Sequence, residues 1–146
     1  MSSDDPHGTD RPDAMIAERK SWTDDERQLA DALTAGHIIV VNVRKSGSHR
    51  RLVPWLIERD LLTYVGHAGS RHEWPASPFA NPFYREAKQD RQGAVVRYAA
   101  WLASQPHLLR RIADGELTGR ALGCWCAPLA CHGDVLAAMA GKQSGR

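Results

Sequence analysis

A chain of 146 residues, 42% hydrophobic and 25% charged, has the size and makeup of one globular domain that buries a core without metal or disulfide support. Its formal net charge of +2 excludes a polyanion binder that works through overall charge, so nucleic-acid affinity would need a local basic patch. No apolar run approaches the roughly 20 residues that span a bilayer, and the polar, acidic start Met1–Gly8 lacks the basic and apolar stretches of a secretory signal; the expectation is a cytoplasmic protein with no membrane partner.

Residues 1–20 are polar, broken by Pro6, Gly8 and Pro12, and read as a disordered tail ahead of a single domain over 21–141. Thr23-Asp24-Asp25-Glu26 fits a capping box, followed by Leu29, Ala30, Ala32 and Leu33 at helical spacing and by Gly36 as a stop. Ile38–Val43 is a continuous β-branched run, the pattern of a strand covered on both faces in a parallel sheet. His49–Leu61 places Leu52, Val53, Leu56 and Ile57 on one face of an amphipathic helix, with Pro54 tolerable only near its start. Leu62–Val65 is a second strand, closed by Gly66. The Gly-, Ser- and Pro-rich loop that follows, to about Tyr84, is long enough to predict an ordered or functional segment.

Gln92–Ala103 and Gln105–Asp114 carry helical apolar stripes, with Pro106 suited to a first turn. Arg120–Cys126 reads as a third strand, 127–131 as a turn, and His132–Ala140 as a last helix ahead of a frayed tail over 142–146. Alternating strands and helices predict a small three-layer α/β domain: a short, mainly parallel central sheet flanked by helices.

All three cysteines fall within eight residues, Cys124, Cys126 and Cys131, and His132 follows at once. Clustered, odd-numbered cysteines point away from a secreted disulfide scaffold and toward a metal or a reactive thiol. On a strand, Cys124 and Cys126 would share one face. One reading is zinc held by Cys124, Cys126, Cys131 and His132, four ligands of the right types, although adjacent Cys131 and His132 reach a single ion awkwardly. A second is a reactive thiolate at Cys131, at a helix start whose N–H groups lower a thiol pKa and hold anions, with His132 as acid or base and Asp134 as its orienter. The third is plain structure: Cys124 and Cys126 buried in the core, Trp125 with them, and Cys131–Asp134 a helix cap.

Two prolines stiffen Ser77-Pro78-Phe79-Ala80-Asn81-Pro82-Phe83, and Asn81 both donates and accepts hydrogen bonds, as recognition of a base or amide requires. Arg44, Lys45, His49, Arg50 and Arg51 follow the first strand, and His67, Arg71, His72 and Trp74 follow the second. In a parallel sheet these groups share an edge with the Cys-His turn, and such a rim suits an anionic ligand.

Val40-Val41-Asn42-Val43-Arg44, Tyr64-Val65-Gly66-His67, Ser77–Phe83 and Leu122–Cys126 through Cys131–Leu136 occur in this order. Together they resemble DUF4326, a domain family of unknown function found in bacteria and phages, over about residues 38–140. Where the resemblance implies Arg, this chain has His67, and histidine as a residue type lacks the permanent charge of arginine. The family name implies no activity.

From these residues the expected function is an enzyme acting on a nucleotide-like or phosphorylated ligand. Cys131 and His132 would carry the chemistry, Asp134 and Asn81 would orient the ligand, Arg44 would meet its charge, and Asn42 and His67 would line the site. The alternative is a zinc-stabilised module that binds nucleic acid or a protein.

Overall fold

The computed structural model describes residues 19–67 and 74–144. The tail expected over 1–20 lies almost wholly outside them, as do Arg71 and His72. In chain order the elements are α1 (Asp24–Thr34), β1 (Ile39–Asn42), α2 (Leu52–Glu58), β2 (Leu62–Tyr64), a 3-10 turn (Glu86–Lys88), α3 (Arg91–Ala103), α4 (Pro106–Ala113), β3 (Ala121–Cys124) and α5 (His132–Ser144).

The three strands form one parallel sheet in the order β1-β3-β2. Ile39 pairs with Ala121 and Asn42 with Cys124 on one side of β3, while Leu62 pairs with Ala121 and Tyr64 with Gly123 on the other. β3 is buried along its whole length, as a central strand covered on both faces should be.

The period of two along each strand divides the core. Ile39, Val41 and Ala121 pack with Ala30, Leu33, Leu52 and Leu56, which places α1 and α2 on one face. Leu122 packs with Tyr98, Leu102, Leu108, Ile112 and Leu136, which places α3, α4 and α5 on the other. The domain is therefore the three-layer α/β arrangement that the alternating pattern predicts.

The capping box forms as expected. Thr23 accepts from the Glu26 amide, and Glu26 Oε1 accepts from the Thr23 amide at 2.9 Å. The second carboxylate oxygen does more. Glu26 Oε2 accepts the amides of both Arg51 and Leu52 at 2.9 Å, which caps α2, a helix with no side-chain cap of its own. The Glu26 side chain is buried, so one carboxylate closes the starts of two helices and fastens them together.

Some boundaries differ from expectation, for local reasons. The helix expected over His49–Leu61 starts at Leu52, because His49 is turned inward instead (below) and Pro54 needs a place in the first turn. The third strand ends at Cys124, two residues early, so Cys126 sits in the turn and does not share a strand face with Cys124. The last helix continues to Ser144, through part of the segment expected to fray.

Glu26→Ala takes a carboxylate acceptor from the amides of Thr23, Arg51 and the buried Leu52, and is expected to lower stability by about 3 kcal/mol. Thr23→Ala removes one cap and is expected to cost about 1 kcal/mol. Urea unfolding of both variants, with unchanged denaturant slopes, checks the difference between them.

Candidate functional site

β1, β2 and β3 all point the same way, and their carboxyl ends open onto one cleft of about 760 Å³. Asn42 and Arg44 reach it from β1, Gly66 and His67 from β2, and Cys124–His132 from β3 and the turn behind it. Asn81 and Tyr84 come from the long loop, and Lys88 and Arg91 from the 3-10 turn and the start of α3. This is where ligands bind in open parallel sheets.

The Asn42 side chain builds the cleft wall. Its Nδ2 donates to the Ala127 carbonyl at 2.8 Å, and its Oδ1 accepts the Arg44 amide at 2.9 Å. The Asn42 backbone amide donates to Nδ1 of the buried His49 at 2.8 Å, and His49 Nε2 in turn meets Asp25 Oδ2 at 2.7 Å. Since Nδ1 accepts, Nε2 carries the proton toward Asp25. His49 is thus a structural link from α1 to the end of β1, not a member of a basic surface.

In the Asn-Pro-Phe loop, Asn81 Oδ1 accepts the Phe83 amide at 2.8 Å, and its Nδ2 has no acceptor among the described residues. The Asn81 carbonyl meets His67 Nε2 at 2.6 Å, and the His67 ring lies 4.2 Å from that of Tyr84. Phe79 is buried against the core, and its carbonyl accepts from the Tyr98 hydroxyl. The phenylalanine anchors the loop, and Asn81 stands at the cleft.

The Cys-His segment separates into two parts. Cys131 is buried, with its sulfur 3.2 Å from Cys124 Sγ. Hydrogen bonds to Cys124 and Cys126, reinforced by burial, push the Cys131 thiol far up, so it stays protonated. His132 is also buried. Its Nε2 donates to the Val65 carbonyl at 2.6 Å, its ring packs edge-on to Tyr98 at 5.0 Å, and burial pulls its pKa down. Asp134 caps the start of α5 by accepting the Cys131 amide at 3.0 Å, and it does not line the cleft. Gly133 permits the close approach of this turn, because a Cβ there would sit 2.9 Å from Val40 Cγ1.

The four proposed zinc ligands do not converge. His132 Nε2 faces a carbonyl instead of the sulfurs. Among the described residues no group of three or more His, Cys, Asp and Glu side chains is disposed to hold a metal ion.

All three cysteines border the cleft, and Cys126 is the one that is only half-buried. A hydrogen bond from Cys131, and then the hydrogen bond and charge of Arg91 and the charge of Arg44, pull its thiol down to about 6 against the opposing effect of burial. Trp125 is half-buried at the cleft wall rather than in the core. Its indole N–H donates to the Tyr64 hydroxyl at 2.5 Å, and the Arg44 guanidinium lies 5.7 Å from its ring.

Lys88, Arg91, Tyr84 and the role of Cys126 were not legible in the sequence. Arg91 and Lys88 look there like ordinary surface charges, and only the packing of α3 beside the Cys turn brings Arg91 within 3.3 Å of the Ala130 carbonyl.

A family model described as "Domain of unknown function (DUF4326)" matches residues 41–142. The chain belongs to that family. No curated protein and no solved structure matches the chain.

Two outcomes follow from the ionisations. Iodoacetamide at neutral pH is expected to modify Cys126 ahead of Cys124 and Cys131, with a rate whose midpoint lies near pH 6 and moves up in Arg91→Ala; peptide mapping of the label reads both. His132 is held neutral when folded, whereas in the unfolded chain it takes up a proton as the pH falls through its ordinary 6.5. Its contribution to stability is therefore complete above pH 6.5 and is lost as the pH falls below it. Thermal melts across this range check the decline, and His132→Gln, which keeps an N–H donor, flattens it.

Proposed function

We propose that this member of the DUF4326 family binds a phosphorylated, nucleotide-like ligand in the cleft at the carboxyl ends of its strands. One observation carries the reading. Among the described residues the cleft is lined by three basic side chains, Arg44, Lys88 and Arg91, and by no carboxylate. Asp and Glu are nearly as numerous in this chain as Lys and Arg, 17 against 19, so the local imbalance is not a consequence of composition.

Cations gathered on a concave surface without counter-charges raise the local potential and attract anions. Guanidinium groups match phosphate oxygens with paired donors. The remaining lining suits the rest of a nucleotide. Tyr84 is exposed at the lip, Trp125 offers part of a ring face, and the Asn81 amide is available for hydrogen bonding. The volume of about 760 Å³ is within the usual range for a small-molecule site.

This reading departs from the sequence expectation in the roles of residues. Arg44, Arg91 and Lys88 meet the charge, Asn81 and His67 border the ligand, and Asn42 holds the wall. Cys131, His132 and Asp134 support the turn from behind.

Titration calorimetry with ATP, AMP, adenosine and inorganic phosphate tests the proposal. The phosphorylated compounds are expected to bind and adenosine to bind much more weakly, with affinity falling as salt is raised. Arg44→Glu or Arg91→Glu is expected to weaken phosphate-dependent binding by roughly tenfold or more. Equal affinity for adenosine and AMP, or no effect of either reversal, sinks the idea.

A further inference from the structure

A second groove, of about 640 Å³, lies beside the cleft, and Arg44 lines both. Val53 and Ile57 of α2 and Leu62 of β2 give it an apolar lining, and Arg50 and Trp74 border it. The Trp74 ring stacks on Tyr64 with centroids 5.0 Å apart, and the Tyr64 hydroxyl accepts the indole N–H of Trp125. Ring contacts therefore join the second groove to the cleft, and the Arg44 guanidinium lies 5.7 Å from the last of these rings.

The arginines of the domain divide by place. Arg19, Arg27, Arg59, Arg97, Arg111 and Arg120 each pair with a carboxylate, and none of them lines either groove. Arg44, Arg50 and Arg91, which do line them, form no ion pair among the described residues. Asp60 is the one carboxylate on the second groove among the described residues, and it faces Arg120 at 3.6 Å. The unpaired positive charge thus continues from the cleft through Arg44 to Arg50.

We propose that the carboxyl edge of the sheet binds a single-stranded nucleic acid, whose chain runs from the cleft past Arg44 into the second groove. The inference rests on the reading of the cleft as a phosphate site and extends its ligand from one nucleotide to a strand. Two grooves that share a cation suit a ligand whose phosphates repeat, and one nucleotide fills only the first. Cations interleaved with rings are the arrangement that holds such a strand, because each base can stack while its phosphate meets a guanidinium. Tyr84 and Trp125 stand at the cleft and Trp74 at the second groove. A duplex turns its base faces inward and offers none to these rings, and an acidic peptide brings charge without them.

Fluorescence anisotropy of the full chain with a labelled oligothymidylate of about ten nucleotides, beside calorimetry with AMP, tests the proposal. The strand is expected to bind roughly tenfold or more tighter than AMP, and to lose affinity as salt is raised. Annealing it to its complement is expected to remove most of that gain. Arg50→Glu and Trp74→Ala are each expected to weaken the strand by roughly tenfold and to leave AMP nearly unchanged, because neither side chain lines the cleft. Should Trp74→Ala fail to fold, Arg50→Glu, at an exposed position, still decides. AMP binding with no gain for the strand, equal binding of the duplex or of polyglutamate, or no effect of Arg50→Glu overturns the inference and leaves the reading of the cleft standing. Binding of neither AMP nor the strand overturns both.

Discussion

The side chain of Asn42 is the constraint on which the cleft depends. It stands at the last position of β1, where the sheet's backbone pairing ends, and carries the connection on by other means. One amide group binds the Ala127 carbonyl beyond β3 and the Arg44 amide beyond its own strand. The backbone amide of the same residue is held by His49, which Asp25 anchors to α1. The loops after β1 and β3 therefore have a common hinge point that is buried and hydrogen-bonded on each side. A shorter or apolar residue would take this partner from the buried Ala127 carbonyl and from the Arg44 amide, and the turn that carries Trp125 and Cys126 would lose its seat.

That rigidity gives the cleft its charge. Arg44 leaves the wall two residues after Asn42, and its guanidinium sits near the Trp125 ring. Arg91 is held at the start of α3, beside the Ala130 carbonyl. Gathering cations around one cleft, with no carboxylate beside them among the described residues, costs free energy through mutual repulsion. The nearby acids are engaged elsewhere: Glu86 pairs with Arg97, and Asp90 caps α3 by accepting the Gly93 amide. The unbalanced charge is the kind of local frustration that folded proteins retain where a ligand supplies the missing partner.

The layers of the domain were legible because they rest on periodicity. The β-branched run Ile38–Val43 and the capping box at Thr23 are local patterns whose meaning survives folding. That the cleft lies at the carboxyl edge was legible for a similar reason, since parallel strands place their following loops at one edge. The roles of individual residues were not. Whether a histidine faces solvent or a carbonyl depends on contacts distant in sequence: His132 is set by Val65, and His49 by Asp25. Arg91 joins the cysteines only through the packing of α3. Cys126 escapes the strand because pairing stops at Cys124, a matter of one hydrogen-bond register that propensity does not resolve.

The short segment from Cys124 to Asp134 thus divides its labour along the direction of the chain. Its second half builds. Cys131, His132, Gly133 and Asp134 each satisfy a neighbour, through sulfur, imidazole, close approach and cap respectively. A reactive group there would sacrifice the contact that positions it. Trp125 and Cys126 lie between the strand end and that foundation, where the backbone is fixed on both sides while the side chains reach the cleft. Chemistry favours such a place: rigid in its main chain, open at its tip, and next to fixed positive charge.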